Sequence, residues 1–322
     1  MFAAPDLEGF MKQTTPGPTA HAHLGPLDLG ALLLILLMSS FTAIAVKATV
    51  AGFPPLLGGC LRFTVAAMAI ALVQLMMRRL QMPRRSDMLM IILLGIICVP
   101  INQFAFWRGV DWSNPSHGAM LYANTPVMVT LLSCLLNMER WSFAGLAGAV
   151  FASVGSLVIV LNSGLHLTSR FVHGDLLLLL AAATWSLYLV LSRPLNQRYG
   201  SLNAQLYVFV AGVLFSVPPA VIDAQTMHWA SIALSAWLGL LYLSLGVAVV
   251  VFFLFNWTIA RQPPSRVATF SNLAYPVTLL WEGLLKGRVP SIGFAIGSAL
   301  VFVGMLLAVR RRQRAVTSRV AE

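Results

Sequence analysis

Two prolines carry the sharpest local chemistry in this chain. Pro126 and Pro276 each stand inside an apolar stretch, where proline lacks the backbone N–H and pushes away the carbonyl four residues earlier. Those carbonyls belong to Tyr122 and Asn272. In lipid they need partners, so this backbone belongs beside other protein or a cavity. Two readings follow: helix breaks that give gating flexibility and offer acceptors to a substrate ammonium, or packing kinks. Polar residues fall within the same apolar stretches, where burial demands a partner. The set is Ser40, Thr42, Asn102, Gln103, Tyr122, Asn124, Ser186, Tyr188, Tyr242, Ser244, Asn256, Ser271, Asn272 and Tyr275. Any one of them could equally be interhelical glue.

The aromatic residues divide by position. Trp112, Trp141, Trp229 and Trp281 stand near the ends of apolar stretches, as interface anchors do. Trp107 and Trp257 are also near ends, at matching places, and fit either that belt or a cavity mouth; Phe106 adjoins the first. Trp185 is deeper, with Tyr188 three residues on and so on the same helical face, and Phe252 is similarly deep. An apolar cavity with aromatic faces and few polar groups suits a zwitterion with a large side chain, or a flat organic cation.

Other chemistries lack their residues. No acid lies between Asp28 and Asp87, so the first apolar stretch has no carboxylate for cation coupling. Asp28 and Asp175 fall at helix starts and read as caps; Glu139 reads as a surface acid paired with Arg140 or a neighbouring helix. Arg62 and Glu282 are the charges that fall within apolar stretches, Glu282 close to an interface. All six histidines lie in the tail, loops or at an edge, and Cys60, Cys98 and Cys134 read as buried thiols, so neither a metal site nor a catalytic centre is expected. No cofactor is implied, and the chain does not read as an enzyme.

The elements that position these residues are membrane spans. Of 322 residues, 58% are hydrophobic and 10% charged, and the mean hydropathy is +0.83; a soluble domain carries about 25% charged residues. Stretches of about 20 apolar residues occur at roughly 29–47, 55–77, 88–108, 117–137, 142–162, 174–192, 204–222, 232–259, 265–285 and 291–309. The fold expected is an all-α integral membrane protein of ten transmembrane helices. The formal charge of +11 could suggest nucleic acid on a soluble chain, but here it sorts by side. Lys47, Arg108, Arg170, Lys286 and Arg288 fall in odd-numbered loops and Arg62 within a span; the remaining basic residues lie at the N-terminus, in even-numbered loops and in the tail. The positive-inside rule then puts both termini in the cytoplasm, and no nucleic-acid partner is expected.

The halves repeat. Phe104-Ala105-Phe106-Trp107 precedes Pro126 by the interval at which Leu254-Phe255-Asn256-Trp257 precedes Pro276. Gly148 and Gly155 match Gly297 and Gly304, seven residues apart in both pairs. Five spans per half is an odd number, so the two copies are inverted, the architecture of secondary transporters with a midplane site. Gly293 with Gly297, and Gly148 with Ala152, let backbones approach closely, either within one bundle or at a dimer seam; a monomer and a weak homodimer both fit.

Gly174-Asp175-Leu176-Leu177 leading to Trp185, Pro126 followed by Glu139-Arg140, the Gly148/Gly155 helix, Lys47 and Arg62 together resemble the EamA-type repeats of the drug/metabolite transporter superfamily. The resemblance covers about residues 29–310 and is strongest to the YddG-type aromatic amino-acid exporters of bacterial inner membranes. One departure is Gly287-Arg288-Val289-Pro290, where the pattern has a Gly-Glu pair. Residues 1–28 read as a disordered lead-in and 310–322 as a basic tail; between them the resemblance implies a first repeat 29–162, a loop 163–173 and a second repeat 174–309. The expected function is alternating-access export of aromatic or bulky neutral amino acids and related amphipathic metabolites. Organic cations or phosphorylated metabolites are the alternative within the superfamily, and a passive channel or membrane enzyme lies outside it. The substrate-contacting candidates are Ser40, Thr42, Asn102, Gln103, Phe106, Trp107, Tyr122, Asn124, Trp185, Tyr188, Phe252, Asn256, Asn272 and Tyr275, with Pro126 and Pro276 as helix breaks.

Overall fold

The computed structural model describes residues 25–112, 121–122, 124–139, 141–161, 169–225, 227–274, 277, 292–293, 295–304 and 306–307. Among them the chain is mainly helical, with no strand. Six helices are long and apolar enough to cross a membrane: α1 Pro26–Val50, α2 Pro55–Met76, α3 Arg85–Trp112, α6 Val172–Tyr199, α7 Ser201–Gln225 and α8 Leu234–Arg261. Between and after them lie α4 Thr125–Leu135, α5 Phe143–Leu161, α9 Pro264–Ser271 and α10 Ala295–Gly304.

Sequence explains where these helices start and bend. α1, α2 and α9 each open with a proline in the first turn, where its missing N–H has no intrahelical partner to lose. α1 is interrupted at Phe41. α6 and α7 are joined through Gly200, whose φ of +74° only glycine adopts without strain. α3 widens into a π-helical segment at Ile97–Ile101 that holds Pro100, the extra residue per turn giving room for the ring. α8 does the same at Tyr242–Val251, the matching stretch of the second half.

Packing pairs the halves. α2 runs antiparallel to α7: Gln74 meets Asn203 near one end, Phe63 meets Phe209 in the middle, and Leu57 and Cys60 pack with Ala220 toward the other. α3 packs on α6 as α1 packs on α8, and α3 on α7 as α2 packs on α8. Close approach is set by glycine. A Cβ on Gly155 of α5 would lie 2.5 Å from Gly297 O of α10, and one on Gly304 would lie 2.6 Å from Gly148 O. The four glycines of the repeat therefore meet crosswise, inside the bundle, and α5 and α10 are antiparallel. Gly95 of α3 and Gly212 of α7 face each other in the same way. Apolar side chains such as Leu72, Leu176, Leu214 and Ile222 point outward, as a lipid-facing surface requires.

Candidate functional site

Two buried polar clusters with aromatic rings between them occupy the middle of the bundle. In the first, Arg62 of α2 is only 4% exposed. Its Nε donates to Leu243 O at 3.0 Å, and its Nη1 donates to Gln103 Oε1 at 3.0 Å. Leu243 lies in the π segment of α8, where the ladder of backbone bonds changes register and a side chain from another helix can reach a carbonyl. Gln103 Nε2 donates to Asn102 Oδ1 at 2.9 Å. Asn102 Nδ2 in turn donates to Ala181 O at 2.8 Å and Thr184 Oγ1 at 3.1 Å on α6, and Asn102 also hydrogen-bonds the Tyr122 hydroxyl.

The second cluster is an amide relay. The Tyr188 hydroxyl lies 2.9 Å from Asn256 Nδ2, and Asn196 Nδ2 donates to Asn256 Oδ1 at 3.0 Å. Between the clusters, Trp185 stacks on Tyr188 at 5.5 Å and meets Phe252 and Phe255 edge-on at 5.1 and 5.6 Å. Phe252 continues to Phe209 at 5.4 Å and Phe63 at 5.9 Å. The Arg62 guanidinium lies 5.1 Å from the Phe63 ring. α6 positions three of these groups because Thr184, Trp185 and Tyr188 lie within one turn or so; α8 does the same with Phe252, Phe255 and Asn256.

One end of the bundle is held by polar contacts between the halves. Arg198 Nη1 donates to both oxygens of Asp87, at 2.5 and 2.7 Å, and the Tyr199 hydroxyl donates to Oδ2. Gln74 Nε2 donates to Asn203 Oδ1 at 2.7 Å, and Asn203 Nδ2 to Arg79 O at 3.1 Å. Gln262 Nε2 donates to Asp28 Oδ2 at 2.8 Å and accepts from Arg266 Nη1 at 2.8 Å. Ser265 donates its backbone N–H and hydroxyl to Glu139, at 3.1 and 2.5 Å. Asp28 is thus not the cap expected of it: Gly25 holds that position, and the carboxylate bridges α1 to the start of α9 through Gln262. Glu139 pairs with a neighbouring helix.

The profile of the EamA-like transporter family matches this chain twice, over residues 28–161 and 172–310. The chain belongs to the EamA-like transporter family. It is a multi-pass membrane protein, and several relatives carry transporter or exporter names. An uncharacterized transporter, YyaM, of Bacillus subtilis is 23% identical, the alignment covering 87% of this chain and 93% of that one. A probable terminal-alkyne amino-acid exporter of Streptantibioticus cattleyicolor is 29% identical over 78% of this chain and 82% of its own. A probable biotin transporter of Pseudomonas aeruginosa is 31% identical over 56% and 63%. A solved crystal structure shares the fold with a TM-score of 0.73 at 22% identity, covering 87% of this chain and 98% of that one.

Within this EamA-like chain the expected residues divide into several groups. Asn102, Gln103 and Tyr122 meet in the Arg62 cluster, with Phe106 against Tyr122 at 5.3 Å. Trp185, Tyr188, Phe252 and Asn256 meet in the aromatic cluster and its amide relay. Ser40 and Thr42 flank the interruption of α1. Ser40 Oγ donates to Leu37 O of its own helix at 2.7 Å, and Thr42 Oγ1 is buried without a partner. Beside them the Tyr242 hydroxyl donates to Met38 O at 2.6 Å. Asn124 immediately precedes α4 and Asn272 immediately follows α9. Tyr275 and Pro276 lie outside the described residues, as do Trp281 and Glu282.

Besides Asp28, Trp107 differs from expectation. Trp107 is at neither a lipid belt nor a mouth: it is fully buried, its ring filling the notch at Gly58, where a Cβ would lie 2.3 Å away. Its repeat mate Trp257 instead carries the Arg261 guanidinium at 3.7 Å. At Pro126 the chain is helical at 121–122, turns at Asn124 and is helical again from Thr125, which places the proline in the first turn of α4. Cys60, Cys98 and Cys134 are buried and form no disulfide among the described residues. Sequence reasoning missed Phe63, Phe209, Phe255 and Asn196. Phe255 shared a helical face with Phe252 and could have been found; Asn196 follows Pro194 in a short turn of helix, and nothing in its spacing marks it.

Proposed function

We propose that this chain is a secondary transporter that exports aromatic or bulky neutral amino acids and related amphipathic metabolites by alternating access. The observation that carries the reading is the Trp185–Tyr188–Phe252–Phe255 cluster bounded by the Arg62–Gln103–Asn102 and Tyr188–Asn256–Asn196 polar groups. Ring faces with a few fixed donors and acceptors match a solute that joins an apolar body to a charged head. The relatives named for amino-acid export and biotin transport favour small organic cargo over inorganic ions.

Alternating access would come from two inverted five-helix repeats, 29–162 and 174–309, joined by 163–173 and flanked by the terminal segments 1–28 and 310–322. Ten spans and the sorting of basic residues would then put both termini in the cytoplasm of a bacterial inner membrane. The paired contacts of α2 with α7 and the crosswise glycines of α5 and α10 support this arrangement, because each contact has a mate in the other half. The second seam consumes the small residues that a dimer could have used, which supports a monomer as the working unit. Ser40, Thr42, Asn124, Asn272, Tyr275, Pro126 and Pro276 would act at the interruptions of α1, α4 and the ninth span as hinges and polar contacts.

Counterflow in proteoliposomes tests the substrate. Vesicles preloaded with unlabelled phenylalanine or tryptophan are expected to accumulate the labelled compound transiently. Protein that is folded yet moves neither in either direction would remove the aromatic-cargo reading.

A further inference from the structure

Arg62 is a cation within a membrane bundle whose described contacts are all neutral. Its partners are a carbonyl, an amide oxygen and a ring face. The described acids, Asp28, Asp87, Asp111, Glu139, Asp175 and Asp223, all sit at helix ends. A guanidinium has five donors, and among the described residues only Nε and Nη1 of Arg62 are engaged. Among the described residues Nη2 makes no hydrogen bond. A helix tether alone does not call for a charge here, since a neutral donor could reach Leu243 O and Gln103 without the desolvation that a buried ion suffers. One turn along α3 from Gln103, the Trp107 indole N–H is buried with no acceptor, so this face of α2 and α3 holds surplus donors. Surplus donors around an uncompensated cation are the complement of an anion. The N–H groups left on Nη2 can give a carboxylate charge-assisted hydrogen bonds.

We propose that Arg62 is the cargo's carboxylate receptor and that recognition needs the acid but not the amine. The substrate class is then apolar or aromatic monocarboxylates, of which amino acids are a subset. This rests on the proposed function, in that the aromatic cluster beside Arg62 is taken as the cargo site. No described acid lies beside that cluster to hold an ammonium, whereas the site offers a cation for the acid. Tether and receptor coexist: Nε and Nη1 hold the guanidinium still, and Nη2 faces the ligand.

The test compares phenylalanine with 3-phenylpropionate, phenethylamine and 3-phenylpropionamide, by binding to purified protein and by counterflow. Phenylpropionate is expected to bind within a few-fold of phenylalanine, and the amine and amide at least about tenfold more weakly, the usual scale for losing a charged hydrogen bond. Arg62→Gln is expected to erase the preference for acid over amide; Arg62→Lys is expected to keep much of it. That ratio is insensitive to a loss of tethering alone, and Arg62→Lys supplies a charged variant should Arg62→Gln fail to fold. Binding of phenethylamine in preference to phenylpropionate overturns the receptor role and leaves the aromatic-cargo reading intact. If none of the aromatic compounds binds, that reading fails, and leucine, 4-methylpentanoate and 3-methylbutylamine judge Arg62 separately. Indifference to the carboxylate in that set overturns the assignment.

Discussion

The two ends of the α1–α8 and α2–α7 bundle are closed by different chemistry. At one, Asp87, Arg198, Tyr199, Gln74, Asn203, Asp28, Gln262 and Arg266 join the halves through side-chain hydrogen bonds and a part-buried ion pair. At the other, described contacts are close-packed and mainly apolar. A Cβ on Gly239 would lie 2.5 Å from Thr49 Oγ1 and 2.8 Å from Ala45 O, Gly52 abuts Ala236, and Phe53 meets Trp237 edge-on at 4.9 Å. Hydrogen bonds at an aqueous end can be exchanged for bonds to water when the halves part, so their net worth is modest despite their number. Backbone contacts across a glycine have no such replacement. The difference suits one end to opening by hydration and the other to moving by separation of packed surfaces.

Four changes probe that contrast, the largest first. Asp87→Asn removes the charge that accepts from Arg198 and Tyr199, and is expected to lower stability by about 1.5–3 kcal/mol, the scale of a hydrogen bond to a charged group. A fall in thermal midpoint in detergent measures it. Where the variant still folds, faster thiol labelling of Cys98, in a background lacking Cys60 and Cys134, would report that this end opens more often. A midpoint within a degree of wild type would show that the ion pair does not hold the end. Gly239→Val pushes α8 off α1 at the opposite end and is expected to lose about 1–3 kcal/mol, as overpacking does. Cys98 labelling separates the two ends here: it should rise less than in the first variant, and an equal rise would erase the distinction between them. Gln262→Leu removes the amide that donates to the Asp28 carboxylate and should lower stability by about 1–3 kcal/mol. Counterflow at saturating substrate should speed up if opening limits turnover. Phe53→Leu removes the edge-on contact with Trp237 for a loss of about 0.5–1.5 kcal/mol. A double-mutant cycle with Trp237→Leu would expose any error in that value, because a coupling near zero means the rings do not interact.

Much of the site was legible because membrane burial makes polar residues conspicuous. Asn102, Gln103, Tyr188 and Asn256 could be named from sequence since each interrupts an apolar run, and each is buried and hydrogen-bonded. Trp185 and Phe252 were visible by depth. Phe63 and Phe209 were not: a phenylalanine in an apolar helix looks the same whether it faces lipid or a partner ring. Gln74 and Asn203 escaped because they lie toward span ends, where a polar residue needs no explanation until its partner is known.

Composition alone determined that this chain belongs in a bilayer, since 10% charged residues cannot cover a water-exposed surface. The repeat spacing of Trp107 and Pro126 against Trp257 and Pro276 determined that its halves are related. Both are local or periodic properties, and a sequence carries them openly. Tertiary structure alone decided the pairings. It turned Asp28 from a cap into a bridge, seated Trp107 against Gly58 rather than at an interface, widened α3 and α8 into π segments, and set Arg62 between Leu243 and Gln103. The physical reason is that a buried polar group must find a partner, while which partner it finds depends on residues far along the chain that only packing brings within reach.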